Sequence, residues 1–274
     1  MITVEILICT IGKGIFKVPS VMMERRLEGV SYLVSWQTDG TVALPPALQG
    51  RADVRVVTHS SVGLSRNRNF SIHNAKANVL VISDDDTRYS PHYIDNIRQA
   101  FARYADADII CFQALDYAGH PLKAYSASGF LYPHRPRAAY FSSVELVVRK
   151  ESPIPAFDER FGLGAEYLEC GEEDIFLHDA YRRGLTIRYV PLPIVRTVRD
   201  TTGGKFMESQ RVQRSKGAVY GHLFSLVGAV LRCLKFALTL HPASPRFKAS
   251  TLWNMLWGVA YAKYTSKQPR SIKP

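Results

Sequence analysis

Three consecutive carboxylates, Asp84-Asp85-Asp86, follow the apolar run VLVIS. Side chains alternate along a strand, so Asp84 and Asp86 point to one side if the extended geometry persists past Ser83. Clustered carboxylates repel one another unless a cation neutralises them. An all-oxygen donor set suits Mg²⁺ or Mn²⁺, with the shell completed by water and phosphate oxygens. A solvated acidic turn is the competing reading of the same residues. A second acidic cluster, Glu172-Glu173-Asp174, follows Gly171 and opens a segment with helical character that ends at Arg182-Arg183-Gly184. Acids favour the first turn of any helix, an effect worth only ~0.3–1 kcal/mol, so this cluster alone does not require a chemical role. A third polar group, Trp36-Gln37-Thr38-Asp39-Gly40, leaves an apolar stretch and reads as a strand exit.

The surrounding elements place these residues. Residues 4–10, 30–35, 54–58, 79–83 and 108–113 read as strands, and residues 65–77 and 91–104 as helices, the latter with Pro91 near its start and Tyr93, Ile94, Ile97 and Phe101 as its apolar stripe. Residues 18–26 are predicted as a short helix after the loop Gly12-Lys13-Gly14. The second half is less regular: a strand over 141–149, a loop over 157–171 containing three glycines, a helix over 173–183, and a strand over 185–190 closed by Pro191 and Pro193. Alternating strands and helices predict an α/β fold whose sheet is largely parallel. In such sheets ligands sit beyond the carboxyl ends of the strands. Both WQTDG and DDDT lie at such ends.

The order of these pieces resembles the family 2 glycosyltransferases. The run Gly63-Leu64-Ser65-Arg66-Asn67-Arg68-Asn69, then a helix, then a strand ending in DDD, is similar to the donor-binding half of that family. The resemblance implies a GT-A fold, a Rossmann-like mixed sheet flanked by helices, and a nucleotide-sugar donor. It implies Asp84 near the uridine or ribose, Asp85 at the nucleotide, Arg68 fixing either the nucleotide or the acidic cluster, and Asp86 on a Mn²⁺ or Mg²⁺ ion bridging the diphosphate. The Gly171–Asp174 segment looks like the family's acidic motif. This implies a general base at Asp174, with Glu173 as the alternative, and an inverting displacement. Thr10 at the end of the first strand and Asp39 at the exit of the second stand where the family binds the nucleobase. The chain departs from the family in two places. The usual D-D-G-S loop is replaced by WQTDG. Where many relatives place a further metal-binding His after the last core strand, this chain has Arg196 and Thr197. The glycines of the 157–171 loop suit a mobile lid, and Lys205, Arg211, Arg214 and Lys216 are candidates to neutralise a diphosphate.

Composition limits the partners. Of 274 residues, 46% are hydrophobic and 22% charged, a globular balance. The four cysteines, Cys9, Cys111, Cys170 and Cys233, show no CxxC pair and read as buried thiols in a reducing compartment. The net charge of +11 lies entirely in residues 201–274, which hold 12 Lys/Arg and one acid, Glu208. A neutral body with two acidic motifs argues against nucleic acid. Residues 220–240 and 252–264 read as two amphipathic helices. The first carries Leu223, Val227, Val230, Leu234 and Leu238 on one face, and the second sets Trp253, Trp257 and Tyr264 beside Lys263 and Lys267. His222, Arg232 and Lys235 interrupt the first, so interfacial contact is expected rather than a membrane span, with packing on the domain or on a partner subunit as the alternative.

The expectation is a catalytic GT-A domain over 1–216 and a basic helical extension over 217–274. The enzyme would move a sugar from a nucleotide-sugar, a UDP-sugar by the resemblance, to a glycan or lipid-linked acceptor in cell-surface polysaccharide synthesis. It would sit in the cytoplasm, peripheral on the inner face of the membrane. Two other classes compete. A sugar-phosphate nucleotidyltransferase would use Gly12-Lys13-Gly14 as a faint phosphate loop. A non-catalytic basic membrane adaptor would use only the tail.

Overall fold

A computed structural model describes residues 1–199, 202–240 and 244–265. They form two compact units. The first comprises residues 1–62, 66–156 and 179–199, and contains the whole sheet.

Eight strands make that sheet: β1 (Val4–Ile11), β2 (Val30–Gln37), β3 (Val54–His59), β4 (Val79–Asp84), β5 (Ile109–Leu115), β6 (Phe130–Leu131), β7 (Leu146–Arg149) and β8 (Ile187–Arg196). Their order is β3-β2-β1-β4-β7-β5-β8-β6. The first four are mutually parallel, β7 is antiparallel to both neighbours, and β5 and β8 are again parallel. The central strands are mostly apolar because they are covered on both faces; β1 is buried from Val4 to Thr10, with its Glu5 paired to Arg55, and β4 from Val79 to Ser83. Helices α1 (Leu64–Asn74) and α2 (Pro91–Arg103) flank β4 in sequence. The predicted stripe of α2 is buried. The mixed α/β sheet matches the expected class.

Four local expectations need correction. Residues 18–26 do not form a helix: a single 3-10 turn, Val18–Ser20, is followed by irregular chain. There the Met23 N–H donates to the Tyr32 hydroxyl and the Met23 carbonyl accepts from Arg51, so side chains replace helical hydrogen bonds. The 141–149 strand is half its predicted length. Ser142 and Glu145 close a capping box around a 3-10 turn, and β7 starts only at Leu146. Trp36 and Gln37 belong to β2 itself, paired with β1 and β3. Finally, β8 runs straight through Pro191 and Pro193. Its partner on one side, β6, is two residues long, and its pairing with β5 shifts register at Gln113, so bulge and bare edge tolerate residues without an N–H.

The second unit comprises residues 63–65, 157–178 and the described part of 200–274. It holds the start of α3 (Glu172–Arg182), then α4 (Gln210–Leu223), α5 (Leu226–Thr239) and α6 (Pro245–Tyr264). The single helix expected over 220–240 is broken. Ser225 accepts from the Gly228 N–H as an N-cap, which ends α4 and starts α5. The expected boundary at 216/217 falls inside α4. α4 and α6 meet nearly backbone to backbone: a Cβ on Gly217 would lie 1.9 Å from the Met255 carbonyl, and one on Gly258 2.0 Å from the Arg214 carbonyl. Lys267 lies outside the described residues. Among those described, no helix is long and apolar enough to cross a membrane. All four cysteines are free thiols; burial pushes Cys9 up to about 12 and Cys233 to about 11, so neither is a ready nucleophile.

Candidate functional site

The site of the first unit grows from the register of two parallel strands. Cys9 of β1 pairs with Asp84 of β4, so Thr10 stands level with the residue after the strand. The Thr10 hydroxyl donates to Asp85 Oδ2 at 2.6 Å. Lys17, on the segment after β1, stands 3.8 Å from Asp85 Oδ1. Arg68, buried on α1, reaches Asp84 Oδ1 at 3.2 Å and donates to Ser143 Oγ at 2.7 Å. The Thr197 hydroxyl donates to Asp86 Oδ1 at 3.3 Å, and the Tyr117 hydroxyl donates to the Asp86 carbonyl. Because β4 ends at Asp84, the strand alternation invoked for Asp84 and Asp86 does not reach Asp86. A turn, held by Thr87 donating to the Asp84 carbonyl, sends the three carboxylates to three different partners.

These partners leave the carboxylates unequal. Asp84 has a guanidinium and Asp85 an ammonium, whereas Asp86 has no ion-pair partner within 4.0 Å among the described residues. Burial holds the Asp86 carboxyl above its usual range, and the charges of Asp84 and Asp85 raise it further. Burial likewise raises Asp85, opposed by Thr10 and Lys17. A half-buried carboxylate with like charges beside it is short of positive charge, which is a fit for a divalent ion. Among the described residues no three His, Cys, Asp or Glu side chains gather into a metal-holding group. The carboxylate oxygens of this end of the sheet suit a hard ion that completes its shell with phosphate and water, as Mg²⁺ does.

Asn67 is the residue that sequence reading passed over. It is buried on α1, donates to the carbonyls of Thr10 and Ser35 at 3.1 Å each, and accepts from the Ser35 hydroxyl. It thereby ties the ends of β1 and β2 to the helix carrying Arg68. Its signal was its place beside Arg68 in the run RNRN. The Trp36 indole donates to the Gly12 carbonyl at 2.9 Å. Gly14 is small for a reason other than phosphate binding: a Cβ there would lie 2.3 Å from Asp85 Oδ2 and 2.4 Å from Thr10 Oγ1. Asp39 takes no part in these bonds. Its carboxylate accepts from the Thr41 N–H and hydroxyl in a local turn, which holds it below the usual range.

In the second unit, Glu172, Glu173 and Asp174 form the first turn of α3, as expected. Glu172 is buried, Glu173 half-buried and Asp174 exposed. Below them Phe157 stacks on Phe176 at 4.3 Å. The preceding loop is fastened along its length. Ser65 donates to the Phe161 carbonyl, Arg160 pairs with Asp158, and Ser215 accepts from the Glu169 N–H. The basic run is also engaged inside this unit. Arg211 pairs with Glu169 at 3.2 Å, while Arg214 lies over Trp257 and Lys216 over Phe236. Three of its four cations thus have a partner within this unit.

Comparison with known proteins follows the same lines. Residues 36–153 match the model of glycosyl transferase family 2. No curated protein sequence matches the chain. Among solved structures, the chain resembles S. aureus TarS 1-349 with a TM-score of 0.57 at 13% identity, covering 94% of this chain and 81% of that one. A longer S. aureus TarS structure gives a TM-score of 0.51 at 13% identity; the chain covers 43% of its length, and 93% of this chain takes part. At that identity the likeness is one of fold: the sheet and its flanking helices are those of the GT-A class.

Proposed function

We propose, from the premise that residues 36–153 belong to glycosyl transferase family 2 and that the chain is a glycosyltransferase of GT-A fold, an inverting transfer from a nucleotide-sugar to a hydroxyl. The donor is a UDP-sugar, lying over the carboxyl ends of β1 and β4. Thr10, Asp39, Arg68, Asp84 and Asp85 are assigned to the nucleotide end. Asp86 is assigned to a Mn²⁺ or Mg²⁺ ion, which when bound supplies positive charge to the departing diphosphate. Asp174, or Glu173 one residue earlier, accepts the proton of the acceptor hydroxyl. The hydroxyl oxygen forms a bond to the anomeric carbon, the bond from that carbon to the diphosphate oxygen breaks, and a nucleoside diphosphate leaves. Direct displacement by one oxygen inverts that carbon. The acceptor is a growing glycan or a lipid-linked glycan, met by a protein lying peripherally on the inner face of the membrane. Residues 1–216 serve the chemistry and 217–274 the placement.

The observation that carries this reading is the charge deficit at Asp86: a half-buried carboxylate beside two others, with no cation within 4.0 Å of it among the described residues. A donor-hydrolysis screen over UDP-, GDP- and dTDP-sugars with Mn²⁺ tests it. Turnover of a UDP-sugar is expected, with release of UDP, and Asp86→Ala and Asp174→Asn are each expected to abolish it. Full activity of Asp86→Ala, or of both Asp174→Asn and Glu173→Gln, removes the assigned role. Synthesis of a nucleotide-sugar from a sugar phosphate would replace the reading with nucleotidyl transfer, against which the packing of Gly14 on Asp85 already weighs.

A further inference from the structure

Helix α5 is built inside out. Its buried positions are Ala229, Cys233 and Ala237, spaced four apart; Ala229 and Cys233 pack with Met255 and Val259 of α6, with half-buried Phe236 against the same cluster. Four other large apolar residues face the other way. Val227, Leu231, Leu234 and Leu238 follow the 4-3-4 spacing of a single helical stripe, and they are 69%, 59%, 36% and 70% exposed. An isolated exposed leucine is ordinary, but four in one stripe on a helix whose fully buried positions are alanine and cysteine mark a surface that something covers.

The polar residues around the stripe indicate what covers it. From Leu226 to Tyr264 there are five Lys/Arg and no Asp or Glu. Arg232 and Lys235 are exposed along one flank. Lys248 donates to the Leu238 carbonyl at the end of α5, and Lys263 to the Phe224 carbonyl just before its start. Long basic side chains bordering an apolar stripe place their stems on hydrocarbon and their charges at headgroup level. A second copy of the same surface would bring like charges together around the stripe, with no acid in α5 or α6 to offset them. A bilayer with anionic headgroups complements both the apolar stripe and the cations.

We infer that the outward face of α5 is a lipid-insertion surface, with the helix lying in the plane of an anionic bilayer and Val227, Leu231, Leu234 and Leu238 entering its acyl boundary. The inference rests on the peripheral placement proposed above and assigns it to one helix face.

Flotation of the full chain with vesicles of phosphatidylcholine alone, and with phosphatidylglycerol added, tests it. Binding is expected only with the anionic lipid and is expected to weaken with salt. Leu231→Ser/Leu238→Ser, both at exposed positions, is expected to weaken binding about tenfold or more, and Arg232→Gln and Lys235→Gln about fivefold each. Donor hydrolysis in solution is expected to stay at the wild-type level in all of them. Failure of the wild type to bind any vesicle overturns the peripheral placement together with this inference. Wild-type binding that the serine double variant leaves intact overturns only the assignment to α5. Equal binding to neutral and anionic vesicles overturns the charge complementarity. A wild-type dimer in light scattering that becomes monomeric in the serine variant, with no vesicle binding, makes a second copy the occupant and overturns the inference.

Discussion

The hydroxyl of Thr197, just past the end of β8, donates to Oδ1 of Asp86 at 3.3 Å. Arg196 and Thr197 stand where the family resemblance leads one to expect a metal-binding His, and of the two Thr197 is set against the carboxylate assigned to the ion. Burial and the charges of Asp84 and Asp85 raise the Asp86 carboxyl, and the Thr197 hydrogen bond opposes them, with the Lys17 charge adding to it. Thr197→Ala removes that opposition, so the carboxyl titrates at still higher pH and protons compete with the ion further up the scale. The acid limb of kcat/KM against pH is expected to move upward, and half-saturating Mn²⁺ to rise about fivefold at pH 6, the equivalent of ~1 kcal/mol for one hydrogen bond. The effect is expected to fade at pH 8. Thr197→His offers an imidazole instead and is expected to lower half-saturating Mn²⁺. Metal titrations of donor hydrolysis at both pH values check this, and an unmoved acid limb in Thr197→Ala would count against Asp86 as the ion's ligand.

The same electrostatics make a prediction about the fold without metal. Asp85 and Asp86 have folded-state carboxyls raised above their unfolded values. A group of this kind adds stability in full below its unfolded pKa, and that stability is lost as pH rises through the folded value. At neutral pH the metal-free fold therefore carries ionised carboxylates it would hold more cheaply as neutral groups. In chelator at neutral pH, Asp86→Asn is expected to melt at or above the wild-type temperature. The gap should close below about pH 4, where the unfolded carboxylate is also protonated. Mn²⁺ with UDP should reverse the order. Ligand at about a hundred times its Kd adds ~2.7 kcal/mol to the wild type by mass action and little to the variant. A chelated Asp86→Asn that melts well below wild type would show instead that Asp86 holds the fold together.

Much of this was readable because it depends on local spacing. VLVIS followed by DDD predicts a buried strand with carboxylates at its exit, and Pro91 with the Tyr93, Ile94, Ile97 and Phe101 stripe predicts α2. What escaped depends on partners distant in sequence. Nothing near Pro191 or Pro193 reveals that β6 is too short to need their missing N–H groups. Nothing near Met23 reveals Tyr32 and Arg51 as its hydrogen-bonding partners. The 220–240 stripe includes Val227, Leu234 and Leu238, which do share an exposed face, but it takes in Leu223, which belongs to α4, and omits Leu231; periodicity marks a common face without saying where one helix ends and the next begins. Ser225, a good N-cap inside that stripe, was the local signal that two helices meet there. Nor does the sequence around Asp39 reveal the turn in which its carboxylate accepts from the Thr41 N–H and hydroxyl.

Gly14 separates activity from stability. The atoms its Cβ would strike are the ends of two side chains, Asp85 Oδ2 at 2.3 Å and Thr10 Oγ1 at 2.4 Å, not backbone. Gly14→Ala is therefore expected to push the Thr10–Asp85 pair aside with little effect on the fold, within ~0.5–1 kcal/mol. Displacing site groups by about an ångström costs up to ~100-fold in rate, so donor hydrolysis is expected to fall tenfold to a hundredfold. Urea melts beside kinetic assays check the split. Wild-type turnover in Gly14→Ala would detach the Thr10–Asp85 pair from donor binding.

Gly217 and Gly258 predict the opposite split. The atoms facing them are main-chain: a Cβ on Gly217 meets the Met255 carbonyl oxygen at 1.9 Å, and one on Gly258 meets the Arg214 carbonyl oxygen at 2.0 Å. No rotamer change relieves such a contact, so α4 and α6 must move apart. Their separation would open the packing of Ala218 and Val219 of α4 against Trp257, Tyr261 and Ala262 of α6. Overpacking of this kind costs ~1–3 kcal/mol, and each Gly→Ala change is expected to reach or exceed the upper end of that range. Helix propensity works the other way, favouring Ala by ~1 kcal/mol, so a net loss can only come from the helix contact. Gly203 supplies the control: its Cβ would meet nothing within 4 Å, and Gly203→Ala is expected to stay within ~0.5 kcal/mol of wild type. Chemical denaturation of the three variants checks the order. Stability gains in Gly217→Ala and Gly258→Ala would mean that α4 and α6 do not pack through their glycines.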